Sequence, residues 1–395
     1  MIQYAGAVMD EKERLAVSEV MKKGWFGLGV KGEEFEQTLS QFIGMKGSVL
    51  VNSGSSANLL ALTSLELPKG SEVITCGLAF PTTVNPIIQC GLIPVFVDCD
   101  ETLNIDYLKL EEALSPKTKA IMFAHTLGNP ANIEYIVAFC RKHNLYLIED
   151  CCDALGSEFN GKMLGSFGDL STYSFYPAHH ITMGEGGAIC YRNKLQEKII
   201  RQYRDWGRDC FCRGDEKSHM GACKARFSFK VDGQAYDHKY VISKIGYNLK
   251  PTEIEAAIGC EQLKKLPNFI IMRKKNYSLM RGKLDEVYDS FNFMDSYDGA
   301  VPSPFSFPLI IKSKKFTRRE ITEFLESQGI QTRLIFAGNI TRQIAYKNII
   351  KRIVGDMPMA DNIMFNSFMV GVYPGLSEKD VLFISEKIIE YVKSK

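Results

Sequence analysis

The chain has 395 residues, a formal net charge of +2, 45% apolar residues and 24% charged residues. This length is too great for one small core and predicts a large domain with a smaller one. The near-neutral charge gives no global field toward nucleic acid or a membrane surface. No apolar run of about 18 residues predicts a transmembrane helix. The N-terminus carries acidic residues and no apolar core, so it does not read as a signal peptide, and a cytoplasmic protein is expected.

Residues 10–23 read as a helix with Val17, Val20 and Met21 on one face. A glycine-rich loop, WFGLGVKG (25–32), precedes a second helix, EEFEQTLSQFIG, ended by Gly44. SVLVNSGSSANLLALTSL then reads as a buried strand, a Ser/Gly turn and a helix. Beyond it, apolar strands at 72–75, 93–98, 120–125, 145–150 and 186–191 alternate with helical stretches. That alternation predicts an open α/β sheet with helices on both faces. The stretch 205–240 is polar, loop-like and rich in Cys, Gly and charge, and a loop that long in a compact domain is functional or disordered. NLKPTEIEAAIGCEQLKKL reads as a long helix, and the rest, with strands SFPLIIK and FMVGVYP, as a smaller α+β domain. The expected division is 1–264 and 265–395.

Three stretches carry chemistry. NSGSSANLL (52–60) follows a strand and opens a helix, so its backbone N–H groups could hold an anion; a plain strand-to-helix turn has the same pattern. LIEDCCDALG ends an apolar strand on Asp150, at the sheet edge where ligands bind in open α/β folds. A carboxylate there suits a pyridinium nitrogen, and a helix N-cap aspartate reads the same way. SFYPAHHITMGEGG (174–187) has the punctuation of a cofactor loop, with His179 and His180 where many such loops carry a lysine.

Together with AFPTTVNPI, FVDCD, GSFGDLSTYSF and GYNLKPTEIEAAIG, these stretches resemble the sugar aminotransferases of the DegT/DnrJ/EryC/StrS family over nearly the whole chain. The resemblance implies the pyridoxal-phosphate fold type I, aspartate aminotransferase-like. Its large domain is a mixed, mostly parallel α/β sheet, beside a smaller C-terminal α+β domain. It implies that Gly54, Ser55, Ser56 and Ser174 hold the cofactor phosphate and that Phe80 stacks on the ring, unless Phe80 simply packs in the core. It also implies that Asp150 pairs with the ring nitrogen and that Asp153 lies near the ring hydroxyl. Asn248 would reach the phosphate of the partner subunit in a homodimer.

In the family the loop commonly reads Ser-Phe-His-Pro-x-Lys, and the lysine forms a Schiff base. Here the register puts His179 on that position. An imidazole cannot form the Schiff base but moves protons near neutral pH. The exchange resembles one subgroup, the nucleotide-sugar 3-dehydratases of the CDP-4-keto-6-deoxyglucose type. Their cofactor is pyridoxamine phosphate, and their histidine takes a proton from its methylene carbon while the 3-hydroxyl leaves. His180 is the alternative base.

The chain has eleven cysteines, and no disulfide framework is expected of them in a cytoplasmic protein. Cys76, Cys90, Cys99, Cys140, Cys190 and Cys260 read as small buried hydrophobes. The dehydratases divide into a glutamate-regenerated kind without a cluster and a kind holding a [2Fe–2S] cluster, fed by an NAD(P)H-dependent flavin/iron–sulfur reductase or ferredoxin-type donor. The cluster kind spaces its cysteines by 57, one and seven residues. Here 57 residues separate Cys152 from Cys210 and one separates Cys210 from Cys212, but ten separate Cys212 from Cys223. The resemblance therefore implies Cys152, Cys210, Cys212 and Cys223 as cluster ligands, with Cys151 and His219 as alternatives. The substrate it implies is a nucleotide-linked 4-keto-6-deoxyhexose, with CDP as the carrier and TDP as the alternative, on the way to a 3,6-dideoxysugar.

Overall fold

The computed structural model describes residues 1–210 and 226–395. Its centre is an eight-stranded sheet. In chain order the strands are β1 (Gly47–Val51), β2 (Glu72–Cys76), β3 (Ile93–Val97), β4 (Thr118–Ala124), β5 (Tyr146–Asp150), β6 (Leu170–Ser174) and β7 (Gly187–Tyr191), with a short edge strand Arg352–Ile353. The spatial order is β1-β7-β6-β5-β4-β2-β3-(352–353). β7 is antiparallel to both neighbours, and the other pairings are parallel. All five residues of β2 and of β7 are buried, as continuous apolar strands covered on both faces must be. The expected strands are present to within two residues at their ends, and β6 is added.

The first helix, α1 (Glu11–Lys23), starts on a capping box formed by Asp10 and Glu13. Its buried face matches the expected one at Val20, with Val17 half-buried, and departs from it at Met21. Glu13, Ala16 and Val20 face inward, while Met21 is exposed. Lys265 Nζ meets the Glu13 carboxylate at 2.6 Å, which accounts for an acid on the inner face. α2 (Val30–Ile43) ends on a left-handed Gly44. α3 (Gly54–Thr63) follows β1, and α4 (Pro81–Gln89) starts on proline.

α5 (Lys194–Arg204) leads into the polar stretch. There the residues from 226 onward form a hairpin, Phe229–Val231 with Gln234–Tyr236. The expected ligands Cys212 and Cys223 and the alternative His219 lie outside the described residues. α6 (Glu253–Lys283) is 31 residues long and starts on a capping box of Thr252 and Glu255. It runs through position 264/265 and accommodates Pro267, so one rigid element joins the main core to the second one. That second core gathers Met280, Leu284, Phe307, Phe368 and Ile384 around the antiparallel strands Ser306–Ile311 and Ser367–Gly371. No helix among the described residues is long and apolar enough to cross a membrane.

Candidate active site

The carboxyl ends of β5 and β6 open into a cavity of about 650 Å³. Gly54, Ser55, Phe80, Asp150, Cys152, Asp153, Ser174 and His179 all line it, so eight residues named from the sequence converge on one site. Thr83, Tyr176, Glu185, Phe305, Arg333 and Phe336 also line it.

Asp150 stands at the end of β5 and is 3% exposed. Its Oδ2 accepts from Asn58 Nδ2 and Thr83 Oγ1, both at 2.8 Å, and its Oδ1 accepts from the Cys152 N–H at 3.1 Å. Thr172 Oγ1 donates to Asn58 Oδ1 at 2.6 Å, which sets the amide so that its nitrogen faces the carboxylate. Three neutral donors therefore hold a buried carboxylate, and among the described residues no cation bonds it. A buried anion without a cation is costly and is suited to a cationic ligand group.

Below it, Ser53 caps α3, accepting from the Ser56 N–H at 3.1 Å. A Cβ on Gly54 would stand 2.6 Å from Ser174 Cβ and 3.1 Å from Cys152 Sγ. Only glycine fits this approach, and it leaves the first N–H groups of α3 bare toward the cavity. Gly187 is constrained similarly, since a Cβ there would meet the Ser53 carbonyl oxygen at 2.3 Å. The GEGG segment thus presses against the turn that opens α3. Ser56 is close by but turned aside, donating to Asn52 Oδ1 at 2.7 Å. Phe80 is 51% exposed at the rim, 6.5 Å from the Phe336 ring, so core packing does not account for it.

His179 projects into the cavity. Its Nδ1 lies 3.3 Å from Asp153 Oδ1, within ion-pair distance but out of line for a hydrogen bond. Its ring packs on Phe305 with centroids 5.4 Å apart. His180 is different. It is 2% exposed, does not line the cavity, and its Nε2 donates to the Ser303 carbonyl at 2.9 Å. Burial, with the charge of Arg273, holds its pKa well below the usual histidine value. A neutral imidazole committed to a carbonyl is a structural part.

Cys152 lines the cavity, and Cys151 is buried behind it. Burial, then the charge of Asp150, pushes the Cys152 thiol well above its ordinary value. A cluster needs the thiolate, so the iron charges would have to offset burial and the Asp150 charge here. Cys210 is half-buried in the segment after α5. Asn248 is exposed and bonded to Lys250 within its own chain, outside the cavity. Arg333 lies over the Tyr4 ring at 4.5 Å and lines the cavity, whereas Asn339 is spent on Thr341 and Asp361. His125 and His238 are buried elsewhere.

His125 meets Glu149 and Cys151 in a buried group with metal-like spacing, but its donors are used. His125 Nδ1 accepts from the Ala131 N–H at 3.1 Å, so Nε2 carries the proton toward Glu149 at 3.2 Å. Glu149 also accepts from the N–H groups of Gly165, Phe167 and Gly168. Burial alone would raise its pKa, but His125 and these N–H groups outweigh it and hold the carboxyl below its usual value.

The cavity fits a pyridoxal-type cofactor, with a carboxylate for a ring nitrogen, a glycine-opened helix for a phosphate and an exposed aromatic at the rim. The fold and this site define a pyridoxal-phosphate fold type I protein. Residues 7–389 match the DegT/DnrJ/EryC1/StrS aminotransferase family, and the chain belongs to that family. It is 44% identical over 403 residues to the lipopolysaccharide biosynthesis protein RfbH of Salmonella typhimurium, covering 99% of this chain and 92% of that protein. It is 42% identical to the dTDP-4-dehydro-2,6-dideoxy-D-glucose 3-dehydratase of Saccharopolyspora spinosa, covering 99% and 86%. A crystal structure of a GDP-4-keto-6-deoxymannose-3-dehydratase with a trapped PLP-glutamate geminal diamine superposes with a TM-score of 0.86. It is 30% identical and covers 98% of this chain and 100% of that one.

Proposed function

We propose that the protein is a nucleotide-sugar 3-dehydratase that uses pyridoxamine phosphate to remove the 3-hydroxyl of a nucleotide-linked 4-keto-6-deoxyhexose. The observation that carries this reading is His179, which stands in the cofactor cavity at the family's lysine position, 3.3 Å from Asp153. When bound, the cofactor supplies an amine for the sugar's 4-keto carbon and a ring that accepts electrons. Asp150 holds the ring nitrogen, Gly54, Ser55 and Ser174 hold the phosphate, and Phe80 covers the ring. His179 takes the proton from the methylene carbon, and Asp153 stabilises the imidazolium that results. With no amine at this position, the enzyme keeps proton transfer and gives up Schiff-base exchange. Asn248 completes the phosphate site of a second subunit in a homodimer. The resemblance implies CDP as carrier, while the similar dehydratases are named for dTDP- and GDP-linked sugars.

Regeneration of the cofactor has two readings. The relative solved with a PLP-glutamate adduct supports glutamate as the amine source. The spacing of Cys152, Cys210 and Cys212, with Cys152 at the cavity wall, supports a [2Fe–2S] cluster and a reductase. Iron and acid-labile sulfide are measured on anaerobically purified protein, alongside turnover with glutamate alone. Two irons per chain and no turnover without a reductase select the cluster. Absence of iron after anaerobic reconstitution, with glutamate-supported turnover, selects the other. Turnover that yields a 4-amino sugar contradicts the dehydratase reading itself.

A further inference from the structure

Arg273, on α6, is 1% exposed, and no carboxylate among the described residues hydrogen-bonds it. Its Nη1 donates to the carbonyls of Phe305 at 2.9 Å and Pro304 at 3.3 Å. Its Nη2 donates to the carbonyl of His179 at 3.1 Å. Nε has no hydrogen-bond partner. Burial pulls its pKa down to about 10 against the opposing charge of Asp153. A buried guanidinium bonded only to carbonyls is an expensive way to hold a fold. The two segments it joins carry the His179 imidazole and the Phe305 ring against which that imidazole packs, and both side chains line the cavity.

We propose that Arg273 is a positioning residue, whose fork fixes the backbone of His179 to that of Phe305 and so sets the place of the imidazole in the cavity. The inference rests on His179 being the base. Lysine at this position keeps the charge but loses the planar fork that spans both segments. Arg273→Lys therefore slows solvent exchange of the cofactor methylene proton by about 10²-fold, as a displacement near 1 Å would. Substrate KM and cofactor Kd hold within about two-fold.

A second readout needs no cofactor. In ¹⁵N spectra of the cofactor-free protein, the His179 imidazole is identified among six histidines by its loss in His179→Ala. That signal broadens or splits in Arg273→Lys. Arg273→Met, near in volume, shows the same change. An unchanged His179 signal, or unchanged methylene exchange, overturns the proposal. Failure of both variants to fold also overturns it, because fold maintenance then accounts for the residue. If the signal moves in Arg273→Lys while His179→Ala keeps full exchange, it is the base assignment that fails, and Arg273 still positions the loop.

Discussion

Replacing Asp150 with asparagine isolates the charge that the site offers a cofactor. The amide is nearly isosteric, so its neighbours decide the outcome. With its oxygen at the Oδ2 position, it still accepts from Asn58 and Thr83. Its NH2 then faces the Cys152 N–H, which formerly donated at 3.1 Å. That donor–donor meeting costs about 1–3 kcal/mol. In the cofactor-free protein this is opposed by removing a buried anion that lacks a cation, so the melting temperature moves by only about 2–4 °C. The holoprotein has no such compensation. A hydrogen bond between charged groups contributes about 1.5–3 kcal/mol, which its loss converts into a Kd higher by roughly ten- to a hundred-fold. Fluorescence titration with pyridoxamine phosphate reads the affinity, and calorimetry of the cofactor-free variant reads the stability. A Kd within two-fold of the parent refutes the assignment of Asp150 to a cationic ring nitrogen. So does a large fall in melting temperature with unchanged affinity, which would make Asp150 a cap and nothing more.

Two further substitutions address the wall of the site at Gly54 and the buried histidine behind it. Gly54→Ala places a Cβ 2.6 Å from Ser174 Cβ, so overpacking of about 1–3 kcal/mol is expected, with weaker binding of inorganic phosphate and cofactor. Calorimetry and phosphate titration check it. His180 has its pKa held well below the usual 6.5 in the folded chain, so unfolding takes up a proton there at low pH. A depressed histidine contributes stability above its unfolded value and loses it as pH falls. Below about pH 6.5 the loss approaches about 1.4 kcal/mol per pH unit. His180→Asn, which keeps a donor for the Ser303 carbonyl, flattens the denaturation profile below about pH 6.5.

The strands of the sheet were legible where they are apolar runs between turn signals, and the eight residues of the cavity were legible through the motifs that carry the family resemblance. β6 was not, because Ser171 and Thr172 are polar yet fully buried, Ser171 bonded to the neighbouring Tyr173 hydroxyl and Thr172 to Asn58, 114 residues away. The helix through Leu266 continues to Lys283 because Pro267 is tolerated once both flanks are anchored in cores. Arg273 sits in a run of basic residues that reads as a solvated face, and only the tertiary approach of the 304–305 and 179 carbonyls gives it partners. Asn58 and Thr83 lay inside quoted motifs, but their role depends on an Asp150 carboxylate 92 and 67 residues away. Likewise, that His179 lines the cavity while His180 is buried against the Ser303 carbonyl depends on tertiary packing, which alternation along a loop does not report.

The central claim is that His179 performs proton transfer for loss of an oxygen, and the most direct measurement follows the methylene proton and the sugar together. The protein with pyridoxamine phosphate is mixed in deuterated water with CDP-, dTDP- and GDP-linked 4-keto-6-deoxyhexoses, and cofactor and sugar are read by NMR and mass spectrometry. The account predicts deuterium at the cofactor methylene and loss of the 3-hydroxyl with at least one carrier, both abolished in His179→Ala while that variant still binds cofactor. Full exchange and dehydration in His179→Ala, or an amine transferred to carbon 4 with the 3-hydroxyl retained, would contradict it.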